Sequence, residues 1–106
     1  MTNKKKSVYT LIVQVGRSKN DGLPAGSTGA GLLCYASGID EPEAVRETVA
    51  ILKQADLAPI DVTGHGTVED RLKDGEEIGE DELNLMERAE NENSVIVAQM
   101  TPFFEN

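Results

Sequence analysis

The chain's only histidine, His65, stands between Gly64 and Gly66, where the backbone is free to adopt unusual angles. An imidazole titrating near neutral pH suits general acid–base work. Partners for such work are sparse. Cys34 is the one cysteine, set between Leu33 and Tyr35, and no nucleophile elbow or protease-type signature surrounds it. Without a second His or Cys an ordinary zinc site also lacks ligands. The plainer reading makes His65 a surface residue at a strand end. Cys34 then packs as a small hydrophobe, with no cationic neighbour in sequence to lower its pKa. No residue is assigned a catalytic role, and no metal or cofactor is called for.

Two further stretches invite a chemical reading. Gly26 to Gly31 spells GSTGAG, with Arg17 and Lys19 a short way upstream, and glycine-rich backbone can cradle an anion. A phosphate loop, however, opens a helix and ends in a Gly-Lys-Ser/Thr triplet. This stretch opens a strand and has no lysine at its end, so a hairpin loop is the better expectation. Glu69 to Glu82, EDRLKDGEEIGEDE, is superficially a calcium loop. Started at Asp70, it has Asp74 and Gly75 at the fifth and sixth positions. Leu72 then falls where a ligand is required, and Asp81 where a bidentate Glu belongs. The match fails, which leaves a solvated acidic face or a docking surface for a basic protein.

Charge sharpens that alternative. The 106 residues carry 10 Lys+Arg and 19 Asp+Glu, a net charge of -9. Residues 40–92 hold 17 of the acids against five bases, a local balance of -12. Such a field repels phosphates and argues against nucleic-acid binding. No segment approaches the ~20 apolar residues of a membrane span. Lys4, Lys5 and Lys6 are not followed by a cleavable signal pattern. The expectation is a cytoplasmic protein of one domain, residues 1–106, with 1–7 as a flexible tail.

The elements that must position these residues follow from periodicity. Val8 to Val15 alternates as a strand, with Tyr9, Leu11, Val13 and Val15 on one face and Val8, Thr10, Ile12 and Gln14 on the other. Gly16 to Gly29 reads as a loop, and Ala30 to Ser37 as a second strand. Asp40 is placed to cap a helix over Glu41 to Asp56, with Glu43 three positions on and Pro42 in the first turn. Ile60 to Thr67 reads as a third strand made irregular by Gly64 and Gly66. Val68 to Gly79 reads as a charged surface connection. Glu80 to Glu92 forms a second helix with Leu83, Met86 and Ala89 on one side. Ser94 to Met100 closes the sheet, and Thr101 to Phe104 follows as an apolar tail.

This order gives an α+β domain. Two helices with one apolar stripe each are expected on one face of a four-stranded mixed sheet, a two-layer, ferredoxin-like sandwich. The stretches IDEPEAVRETVAILKQADLAPIDVTG and EDELNLMERAENENSVIVAQM resemble those of small uncharacterised bacterial α+β proteins. That resemblance implies a fold and supplies no activity.

An uncovered sheet face would present Thr10, Ile12 and Gln14, joined by Tyr35, Thr63, His65 and Gln99. Two functions fit it. One is a non-catalytic protein-binding or regulatory domain that works as a homodimer, burying Phe103 and Phe104 or the open face against a second copy. The other is a small-molecule or anion-binding protein, or a small enzyme, that gathers Tyr35, His65, Arg17 and Gln14 around the Gly16–Gly31 loop. The absence of any specific catalytic motif favours the first.

Overall fold

A computed structural model describes residues 6–105. The elements run β1 (Ser7–Gly16), β2 (Ser27–Gly38), α1 (Glu41–Gln54), β3 (Ala58–Thr67), α2 (Val68–Lys73), α3 (Glu80–Glu92) and β4 (Val95–Phe104). The four strands form one sheet in the order β3-β1-β2-β4.

Every neighbouring pair is antiparallel, which corrects the expectation of a mixed sheet. The crossover through α1 does return the chain in the same direction, whereas the one through α2 and α3 reverses it. Because β1 pairs antiparallel with both β2 and β3, those two strands run parallel to each other, but β1 lies between them. A crossover over an intervening strand leaves no parallel ladder.

The two-layer arrangement is corrected as well. Leu11, Val13, Val15, Leu32, Cys34 and Ala36 pack with Ala44 and Leu52 of α1. Val8 and Tyr35 pack with Met86 and Ala89 of α3, with Val68 of α2 close by. Odd and even positions of β1 thus face different helices, as the pleat requires. The sheet lies between α1 on one face and α2 with α3 on the other, and the ferredoxin-like outline is not matched. β2 is buried on both faces from Cys34 to Gly38, where helices cover each side, and its sequence there is mostly apolar.

Local chemistry sets the element ends. The Asp40 carboxylate accepts from the Glu43 backbone N–H at 2.9 Å, and Glu43 Oε1 accepts from Ile39 N–H at 3.1 Å. Ala44, Thr48 and Leu52 recur every four residues and form the buried stripe of α1. β3 ends in the expected irregularity: Leu11 pairs with Gly64 and Tyr9 with Thr67, so His65 and Gly66 together oppose Thr10. Gly66, at φ +83°, makes that bulge and leads into Thr67.

Three further readings change. Val68–Lys73 is a helix rather than a connection, started by a capping box in which Thr67 and Asp70 satisfy each other's backbone N–H. Thr101–Phe104 is not a tail, because it continues β4 alongside Ser27–Gly31. Ser7 already belongs to β1 and not to a tail, and residues 1–5 of the expected tail lie outside the described residues.

Candidate functional site

The sequence singled out Tyr35, His65, Arg17 and Gln14, and the fold disperses them. Tyr35 is fully buried under α3. Its hydroxyl donates to Glu82 Oε1 at 2.6 Å. The same oxygen accepts from Arg71 Nη1 at 3.3 Å, and Arg71 also donates to Thr10 Oγ1 and Glu76 Oε1, each at 3.1 Å. Burial, then the bond to Glu82, pushes the Tyr35 hydroxyl up to about 12. The Tyr35 hydroxyl, followed by the Arg71 charge, holds Glu82 below the usual carboxylate range. None of the buried polar side-chain atoms in this knot lacks a partner, so it ties α2 and α3 to the sheet and does not present a reactive group. The structural role of Arg71 was not visible in the sequence, where it sits amid solvated-looking charge. The Thr67-x-x-Asp70 capping pattern was the available sign that its segment is helical.

Arg17 is engaged inside its own loop. It donates to Asp21 Oδ2 at 3.0 Å, Ser27 O at 2.7 Å and Pro24 O at 3.2 Å. Asp21 in turn accepts from the Ser18 and Leu23 backbone N–H groups at 2.8 and 2.9 Å, which lowers its pKa. The loop is therefore an ordered cap on the β1–β2 hairpin, with Leu23 tucked into the core. Ser27–Gly31 belongs to the central strand, paired with β1 and β4. The Ser27 N–H donates to Pro24 O at 3.1 Å, and the stretch opens a strand and not a helix.

His65 is exposed on β3, and no side-chain hydrogen bond to it occurs among the described residues. Cys34 is buried, and desolvation raises its thiol to about 11. No group of three or more His, Cys, Asp or Glu among the described residues is placed to hold a metal.

Gln14 lies on the most open surface. Across the four strands Thr63, Ile12, Leu33 and Gln99 form one row, and Asp61, Gln14, Gly31 and Thr101 the next. These rows continue the face that α2 and α3 cover at its other end. Phe103 leans over Gly31, where a Cβ would stand 3.2 Å from its ring. Ile12 and Phe103 are 38 % and 40 % exposed. Ile12, half-buried Leu33 and Phe103 form an apolar centre, with Gln14, Thr63, Gln99 and Thr101 around it and Asp61 at one corner. Four of the residues expected on an open face (Ile12, Gln14, Thr63 and Gln99) are there, whereas Thr10 and Tyr35 are covered.

At the opposite end of the sheet a groove of about 590 Å³ runs between the start of β1, the β3–α2 corner and α3. Val8, Val68, Leu83 and Met86 contribute its apolar lining, and Glu69, Asp70, Glu87 and Glu90 its acidic rim.

Fold and surface together define a small α+β domain with an antiparallel sheet between helices, one open half-face and one acid-rimmed groove. The chain belongs to the DUF8846 family, a domain of unknown function, whose model matches residues 8–104. No curated protein and no solved structure is significantly similar to it. No helix among the described residues is long and apolar enough to cross a membrane.

Proposed function

We propose that this domain is a non-catalytic protein-binding module that works as a two-fold homodimer through the open half-face of its sheet. One observation carries the reading: Ile12 and Phe103 are exposed on one sheet face beside half-buried Leu33, with uncharged polar groups around them. An apolar centre with a polar rim is the anatomy of a protein interface. A second copy is the favoured occupant for an electrostatic reason. Two molecules of charge -9 repel each other over most of their surface. Within the two paired rows of this face Asp61 is the one charged residue, so it is where identical copies can approach.

Face-to-face contact is favoured over strand addition at the β4 edge. A register shift near Ala98 and the missing N–H of Pro102 interrupt that edge, and both features discourage edge pairing. Gln14, beside the apolar centre, would make polar contacts to the second copy.

The test is light scattering on size-separated wild type and two variants. Ile12→Lys and Phe103→Asp each place a charge in a self-complementary contact and should convert a dimer into a monomer, with unchanged circular dichroism. An equal change from Ile60→Lys, at an exposed position outside the patch, would remove the assignment to this face.

A further inference from the structure

We infer that the groove between β1, α2 and α3 receives a cationic, amphipathic segment of a partner protein. The apolar side chains of that segment would lie on Leu83 and Val68, and its Lys or Arg heads at Glu69, Glu87 and Glu90. This site is separate from the open half-face and rests on different observations.

The first is the composition of the groove. Leu83 follows the helical spacing of the α3 core stripe, yet it is 42 % exposed, whereas Met86 and Ala89 are buried. The stripe therefore continues past the part that packs on the sheet, into the groove wall. A groove with an apolar lining and charged walls suits an amphipathic segment better than a compact polar ligand.

The second is uncompensated charge. Among the described residues the ion pairs are Lys6–Glu43, Arg17–Asp21, Arg71–Glu76, Arg71–Glu82 and Arg88–Glu92. None engages Glu69, Glu87 or Glu90. Asp70 differs from them, because its carboxylate accepts from the Thr67 N–H at 3.0 Å and is held by the helix cap. Among the described residues the cation lining the groove is Lys6. Its ammonium donates to Asn93 Oδ1 at 2.8 Å and stands 3.9 Å from Glu43, so its charge is directed to those groups. Three carboxylates thus border a groove whose apolar strip is Leu83 and Val68, with no described cation set against them. Opposite charge on an incoming segment would speed encounter and fix its register.

The test uses the full chain and a fluorescent peptide of about twelve residues built from lysine and leucine, read by anisotropy. Two control peptides exchange leucine for serine or lysine for glutamate. The lysine–leucine peptide should bind, and both controls should bind at least about tenfold more weakly. Glu87→Lys with Glu90→Lys, and separately Leu83→Asp, should each weaken binding about tenfold while thermal unfolding stays within a few degrees of wild type. Glu47→Lys with Asp74→Lys changes net charge equally but outside the groove, and should have little effect. Equal weakening by that pair would show general attraction to an acidic protein and overturn the proposal. Equal binding of the serine peptide would overturn it too. Lys4→Ser with Lys5→Ser distinguishes a partner from the chain's own lysines. Unchanged affinity supports the partner segment, and several-fold tighter binding assigns the groove to Lys4 and Lys5 and rejects it.

Discussion

Tyr35 shows how a residue that could do chemistry is committed to structure. Its hydroxyl, Glu82, Arg71 and Thr10 form one partly buried chain of hydrogen bonds. Tyr35→Phe removes one donor and leaves Glu82 with Arg71, so it should cost about 1–2 kcal/mol in denaturant unfolding. The pH dependence has two limbs. Glu82 and Asp21 have folded pKa values below their unfolded ones. Their stabilisation is present above the unfolded carboxylate range, about pH 4, and is lost as pH falls through the folded values. Tyr35 and Cys34 are raised, to about 12 and about 11. Their contribution is complete below about pH 8 and is lost as pH rises through those values. Stability measured against pH should therefore fall at both extremes, and Glu82→Gln should flatten part of the acid limb. Cys34 should resist alkylation in the native protein at pH 8 and react readily in denaturant. Rapid native labelling would contradict the burial on which its assignment rests.

The secondary elements were legible wherever one local signal acted alone. Asp40, Pro42 and Glu43 announced α1, and the acidic first turn and apolar spacing of α3 located Glu80–Glu92. Asp40→Ala should cost about 1 kcal/mol, and an unchanged unfolding midpoint would refute the cap. Legibility failed where tertiary pairing decides. Ser27–Gly29 looks like loop because of its glycines, yet it extends β2, and Gly29 is needed there. A Cβ at Gly29 would fall on the Val15 carbonyl oxygen. Gly29→Ala must move backbone and should lower the unfolding midpoint sharply. Gly79→Ala, where a Cβ meets nothing, should change stability by no more than about 1 kcal/mol. Equal effects would show that the close β1–β2 approach is not required. Thr101–Phe104 read as tail for a similar reason: Pro102 suggests a break, and only its pairing with Ala30 makes it strand. The helix on each face was foreshadowed by the unbroken apolar run of β2. Counting helices against faces obscured it, because the short α2 and its buried Arg71 were hidden in a charged segment.

At the scale of the molecule, one end of a sheet face is covered by α2 and α3 and the other is open. The charge is concentrated in residues 40–92. The partial candidate site follows from this: the residues of the open face were named from alternation, but the sequence could not say which half the helices would cover. The electrostatics separate the two surfaces. Self-association brings like charges together, so added salt should strengthen it, whereas capture of a cationic segment in the groove should weaken with salt. Sedimentation equilibrium of the wild-type chain at micromolar concentration, in low and in moderate salt, tests the homodimer most directly. The expected result is a mass of twice 11.4 kDa, with a dimer fraction that rises as salt screens the repulsion. A sharp monomer mass of 11.4 kDa in both conditions would contradict it.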